Sequence, residues 1–290
     1  MLFNSKLIWP CSSVSGLCDR LLDLHLVAAM ARLENRELVL DWKLQTGLTP
    51  LHLKTWSAAR FEDYKKENFI QYFNLPKNVR LVEDAHKEPK STQDAIFPEY
   101  VGGCYSPRTF NSRFCGQYSF EQFNETFDQV VSEFTPTSKL LDLVSGVNVP
   151  EIGVHLRRGD KITTTPDPVQ LHSNDLDNLN LMTEDCLSKL ITPISSVFVC
   201  SDTKESKDRI FGKFKDKCNF IQLDSAHPFE QTYIDIYLLS RCKVIIMSQK
   251  HSNFSLFCSL LNKSKLIYFY KNNEMFRTAN FSHTQLYSKI

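Results

Sequence analysis

The sequence predicts an α/β chain made of two successive doubly wound halves. Three observations carry that reading. Short β-prone runs alternate with stretches of helical spacing, the rhythm restarts after a break at residues 146–150, and polar or charged residues follow directly on several strand candidates. At about 150 residues per domain, 290 residues accommodate two units, expected at 1–149 and 150–290.

In the first half, residues 6–10 (KLIWP) form a short apolar run, small residues follow, and 19–34 has helical spacing, so the order is strand, loop, helix. Residues 37–41 (ELVLD) and 78–83 (NVRLVE) are compact strand candidates, with a helix expected over 61–73 between them. The stretch 84–118 is rich in Pro, Gly, Ser and Asn and is expected to be irregular, as a substrate loop or a poorly ordered excursion. Helices are expected at 120–134 and 137–144. In the second half, strands are expected at 151–156 (EIGVHL), 196–200 (SVFVC), 219–223, 243–247 (KVIIM) and 265–269. Helices at 175–190, 204–214, 229–240 and 253–261 fill the gaps at lengths suited to covering a parallel sheet.

Composition narrows the class. With 42% hydrophobic and 23% charged residues the chain is neither disordered nor a disulfide scaffold. A net charge of +1 offers no global field for nucleic acid or an anionic membrane, and no basic stripe is interleaved with aromatics. Nine cysteines occur without a CxxC pair or the cadence of a zinc site, and several lie in apolar runs, which points to buried thiols in a reducing compartment. The longest uninterrupted apolar stretch, 26–31, is far short of the roughly 20 residues that cross a bilayer. The first residues, MLFNSKLIWPCSS, lack the pattern of a signal peptide, so a cytoplasmic protein is expected.

In doubly wound sheets ligands bind outside the carboxyl ends of the strands, and three such ends stand out. After EIGVHL comes Arg157-Arg158-Gly159-Asp160-Lys161, two guanidinium groups and an ammonium that form either a phosphate site or a solvated basic loop. After SVFVC comes Ser201-Asp202, where Asp202 either contacts a ribose or caps the helix starting near Lys204. After KVIIM, Ser252-Asn253-Phe254-Ser255 opens a helix whose first turn is either an anion site or a well-capped core helix end.

His155-Leu156-Arg157-Arg158-Gly159-Asp160 resembles the H-x-R-R-x-D motif shared by the α1,2-, α1,6- and protein O-fucosyltransferases. A chance match to its fixed residues is on the order of one in ten thousand for a chain of this length. VFVCSD resembles the second motif of that family, and Asp235-Ile236-Tyr237-Leu238-Leu239-Ser240 with Ser252-Asn253-Phe254-Ser255 resembles the third. Ser15-Gly16-Leu17-Cys18-Asp19-Arg20 is similar to the glycine-containing first loop, whereas 46–149 matches nothing in the family. The resemblance implies a GT-B architecture, two Rossmann-like domains facing across a cleft, with the acceptor side in the first and the donor held mainly by the second. It implies GDP-fucose as donor, a glycan acceptor, inversion at the anomeric carbon, and neither metal nor other cofactor. By similarity Arg157 binds the β-phosphate, His155 and Asp235 contact the guanine, Ser252 to Ser255 hold the phosphates, and Arg158, Asp160 and Lys161 complete the loop; Gly16 belongs to the donor-side contacts of the first loop.

The chain departs from this pattern where a base is needed. Relatives with a recognised base carry a Glu a few residues past the double arginine, and here Thr163, Thr164 and Thr165 stand in that stretch. Asp167 and Asp19 are the candidate carboxylates, with Asp23 one turn beyond Asp19; Asp19 alternatively caps its helix, and Asp167, between two prolines, is alternatively a turn residue. The first loop also lacks the Asn-Gln pair of the α1,2 enzymes, which leaves acceptor and linkage open. Another nucleotide deoxy sugar, such as UDP-L-rhamnose, is the alternative donor, and a non-catalytic nucleotide-sugar binder the alternative role. No G-x-G-x-x-G follows a strand and no G-x4-G-K-[ST] occurs, which argues against a dinucleotide oxidoreductase and a P-loop enzyme.

Overall fold

β1 (Ser5–Cys11) and β2 (Arg36–Trp42) lie side by side and parallel, Ser5 opposite Arg36 through Cys11 opposite Trp42. α1 (Leu17–Leu33) makes the crossover between them. This computed structural model describes residues 3–11, 17–42, 69–98, 107–156, 162–163, 171–201, 203–225, 228–247, 252–261, 266–271, 274–278 and 288–289. α1 is buried almost all round from Cys18 to Ala31, which explains why its apolar residues crowd every face instead of forming one stripe. β3 (Val79–Val82) joins the far edge of β2 and β4 (Ala95–Ile96) the free edge of β1, so the first sheet runs β3-β2-β1-β4, all parallel.

Two expectations in this half are corrected. The stretch 84–118 is not irregular throughout: it holds β4 and the helix α2 (Pro107–Phe114). Aromatic packing supplies the order, since Phe110 stacks between Phe97 and Phe123 at ring centroids 6.1 and 5.7 Å away. Of the helix expected over 61–73, residues 61–68 lie outside the described residues, and the remainder forms only a single 3-10 turn, Phe69–Gln71. The backbone leaves helical geometry there because Asn74 N–H donates to Thr135 O at 2.8 Å and Thr137 N–H to Tyr72 O at 2.9 Å. α3 (Phe120–Glu133) starts at Ser119 with a reciprocal capping box to Gln122 and packs on α1. Glu133 takes the guanidinium of Arg32 at 2.6 Å and the amide of Lys77 at 2.8 Å, which together hold its carboxyl below the usual range.

The chain divides into two compact units, Met1–Leu140 and Leu141–Ile290, with the division within α4 (Ser138–Leu143). Gly146, at φ 79°, forms a left-handed turn just beyond α4.

The second unit carries β5 (Ile152–Leu156), the short pair β6 (Ile162–Thr163) and β7 (Leu171–His172), α5 (Ser173–Leu190), β8 (Ser196–Ser201), α6 (Lys204–Phe214) and β9 (Asn219–Ile221). It continues with α7 (Pro228–Arg241), β10 (Val244–Met247), α8 (Asn253–Leu260), β11 (Leu266–Lys271), β12 (Glu274–Thr278) and β13 (Ser288–Lys289). The large sheet runs β13-β12-β11-β10-β5-β8-β9, parallel from β11 to β9, with β12 and β13 antiparallel at one edge. Those two edge strands are additional to the ones expected from the sequence.

Successive residues of β5 serve opposite faces. Ile152, Val154 and Leu156 pack with Cys186 and Leu187 of α5 and Ile210 and Phe214 of α6. Gly153 faces α7, where a Cβ would come within 2.8 Å of Cys242 Sγ and closer still to Leu239 Cδ1. Gly153→Ala is therefore expected to push α7 off the sheet and destabilise the second unit by about 1–3 kcal/mol, as read from its urea midpoint.

Candidate functional site

The connections on either side of β5 and β10 leave in opposite directions, so the topological switch point of the second sheet lies between these two strands. His155 is the last but one residue of β5 at this point, opposite Met247 on β10 and Cys200 on β8. It is 7% exposed. Its Nδ1 lies 2.6 Å from Ser255 Oγ and 3.2 Å from Ser252 Oγ, and its ring stacks on Phe254 with centroids 4.7 Å apart.

Ser252 is the N-cap of α8, and a serine in that place normally closes the first turn with its hydroxyl. Here the side chain makes no cap hydrogen bond and turns to His155. Both serine hydroxyls are therefore buried against the imidazole, and what the first turn of α8 offers an anion is backbone N–H groups and the positive dipole end. Asn253 and Phe254 occupy that first turn.

Asp235 on α7 reaches the same end of the sheet beside β8. Its Oδ1 accepts from Gln231 Nε2 at 2.7 Å, and that amide also donates to Leu223 O at 3.0 Å, so Asp235 is held from one helical turn back. Burial pushes its carboxyl up to about 7, against the Gln231 bond and the Lys207 charge and with help from Asp224. Lys207 Nζ bonds Asp224 Oδ1 at 2.8 Å. Cys200, in register with His155, is driven well above the usual thiol range by burial and then by the Asp235 charge.

The chain has the fucosyltransferase fold. It is similar to the crystal structure of fucosyltransferase NodZ from Bradyrhizobium, with a TM-score of 0.60 and 17% identity over 96% of this chain and 99% of that one. NodZ α-1,6-fucosyltransferase soaked with GDP-fucose gives 0.58 and 16% over 96% and 100%. The apo form of POFUT1 gives 0.51 and 12% over 93% and 99%. No family model and no curated protein matches the sequence.

Of the residues singled out from sequence, the second unit thus brings together His155, Ser252, Phe254 and Ser255, with Asn253 on the same turn and Asp235 one strand away. Arg157, Arg158, Asp160, Lys161, Asp167, Asp202 and Gly16 lie outside the described residues. The N-cap of α6 is Thr203, whose side chain makes no cap hydrogen bond. Asp19 sits inside the first turn of α1, which begins at Leu17. Among the described residues no group of three His, Cys, Asp or Glu is arranged to hold a metal ion, and no helix is long and apolar enough to cross a membrane. The eight described cysteines are all buried.

Sequence reasoning missed Gln231, although its four-residue spacing from Asp235 on one helix was a usable signal. Asp23, which the sequence placed one turn beyond Asp19, has its carboxyl pushed up to about 7 by burial and by the neighbouring Asp19. Nothing local announces that shift.

Proposed function

We propose that the protein is an inverting glycosyltransferase that moves L-fucose from GDP-fucose to a hydroxyl of a glycan acceptor without a metal ion. The observation that carries the reading is His155, the first residue of the sequence motif H-x-R-R-x-D, at the switch point of the second sheet and tied to the first turn of α8, in a chain with the fucosyltransferase fold. In this reading 150–290 is the donor half and 1–149 the acceptor side. Buried thiols favour a reducing compartment, hence the cytoplasm.

Departure of a nucleoside diphosphate places negative charge on the leaving phosphate. Arg157, with Arg158, Asp160 and Lys161 shaping its loop, and the first-turn N–H groups of α8 around Ser252 to Ser255 neutralise that charge as preorganised donors. Asp202 meets the ribose, and His155 and Asp235 meet the guanine. Two serine hydroxyls at Nδ1 fix the orientation of the His155 ring. A carboxylate at Asp235 accepts from the guanine N–H groups, so GDP affinity rises as the pH passes upward through about 7 and this group ionises.

The test is a panel of GDP- and UDP-sugars, read by calorimetry and donor hydrolysis with and without EDTA. Binding and slow hydrolysis of GDP-fucose, insensitive to EDTA, with Asp235→Asn weakening GDP by roughly tenfold or more, are the expected results. Preference for a UDP-sugar overturns the donor assignment, and binding without turnover overturns the enzyme.

A further inference from the structure

Gln231, one turn before Asp235 on α7, joins three partners through its amide. Its Oε1 accepts the backbone N–H of Ser225 at 2.6 Å, and its Nε2 donates to Leu223 O at 3.0 Å and to Asp235 Oδ1 at 2.7 Å. The two backbone partners leave the amide no choice of direction. A backbone N–H only donates and a carbonyl only accepts, so the amide oxygen faces Ser225 and the NH2 group faces Leu223 and Asp235. That polarity passes on to Asp235, whose Oδ1 is met by a donor and held as an acceptor. Among the described residues Gln231 is the one hydrogen-bond donor to this carboxyl group.

We propose that Gln231 is a positioning residue for nucleotide recognition, its amide holding the Asp235 carboxyl group as an acceptor for the N–H edge of a nucleobase. That the nucleotide is GDP, and that Asp235 meets its base, rests on the transferase reading above.

The chemistry at stake is the direction of the hydrogen bonds. An ionised carboxyl group only accepts and suits the ring N–H and amino group of guanine, whereas a protonated one presents an O–H and loses that match. Burial pushes Asp235 towards the protonated form, and the Gln231 bond opposes it, followed by the Lys207 charge, with Asp224 acting the other way. The titratable and charged groups on the elements around Asp235 are Lys207 of α6, Asp224 after β9, Cys200 of β8, His155 of β5 and Cys258 of α8. None of these is recorded as a hydrogen-bond donor to the carboxyl group, so Gln231 acts on it by contact and the others through space. Without that donor the carboxyl group keeps its proton to higher pH, and GDP affinity levels off later as the pH rises.

The experiment measures GDP affinity of the full chain by calorimetry from pH 6 to 8.5, for wild type, Gln231→Met and Gln231→Glu. In Gln231→Met, of similar volume but without the amide, the pH at which affinity levels off is expected to rise by about one unit. The loss is then about fivefold at pH 7 and within about twofold at pH 8.5. Gln231→Glu keeps an acceptor for Ser225 and guards against a variant that fails to fold; its second carboxylate is expected to move the profile the same way. In an Asp235→Asn background Gln231→Met is expected to change GDP affinity by less than about twofold, because the group through which it acts is gone. A loss by the same factor at every pH, or one that persists in the Asp235→Asn background, shows a residue that only anchors the connection from β9 to α7 and overturns the assignment. So does GDP binding that neither variant alters. A wild type that does not bind GDP overturns the transferase reading and this assignment with it, a result read on the unmutated chain and therefore distinct from the others.

Discussion

Arg157→Ala is expected to lower turnover of GDP-fucose by about 10²- to 10³-fold while GDP affinity falls much less. Arg157 follows β5 by one residue, two after His155, at the carboxyl end of the strand that borders the switch point. In the proposed reaction its guanidinium faces charge that grows only as the sugar leaves, so its removal raises the barrier more than it weakens the ground state. Arg157→Lys is expected to recover only part of the rate, because an ammonium is a point charge and does not present the planar fork that matches a phosphate. Single-turnover hydrolysis alongside GDP calorimetry separates the two quantities. An equal fall in affinity and rate assigns the residue to ground-state binding and removes it from the chemistry.

Asp23→Asn is expected to stabilise the first unit at pH 8. In the unfolded chain an aspartate ionises at its ordinary value of 3.8, whereas in the fold Asp23 holds its proton to about 7. Between those values the native state binds a proton that the unfolded state has released, so stability falls as the pH rises through this window and stays low above it. A difference of this size corresponds to on the order of 4 kcal/mol. The amide that replaces the carboxylate still lacks a partner and returns about 1 kcal/mol or more of that, leaving a net gain of roughly 2–3 kcal/mol. Urea unfolding at pH 5 and pH 8 reads the effect: wild type loses stability between the two and Asp23→Asn loses less. Asp235, also raised to about 7, has the same sign in the second unit, so part of the wild-type pH dependence remains. Identical profiles for wild type and Asp23→Asn would show that the buried carboxylate is already neutralised by other means.

Much of the architecture was legible because strands buried on both faces write themselves as apolar runs. KLIWP, ELVLD, EIGVHL, SVFVC and KVIIM are the interior strands β1, β2, β5, β8 and β10, each within a residue or two of its observed bounds. α6 was read to the residue because the polar Ser-Asp-Thr segment before it marks the start and the run Ile210, Phe211 and Phe214 marks the buried face. Edge elements were the weak point. β4 is two residues long and owes its conformation to pairing with Leu7 and Ile8, and β12 exists as a strand because β11 offers it an antiparallel edge. Neither carries a hydrophobic period long enough to read.

The chemistry of the sites divides along the same line. The sequence by itself determined which residue types stand at the carboxyl ends of the strands, because strand ends and helix starts follow from local periodicity and from small polar residues such as Ser252. Only the tertiary structure decided what those residues do to one another. Ser255 meets a histidine 100 positions earlier in the chain, and that contact turns the Ser252 hydroxyl away from the helix it would otherwise cap. Asp23 reads as one more polar residue on a helix, yet its proton affinity is set by packing against β1 and β2 and by Asp19. Burial and electrostatic coupling act through space, so local patterning specifies the elements while the electrical state of a side chain emerges once those elements close around it.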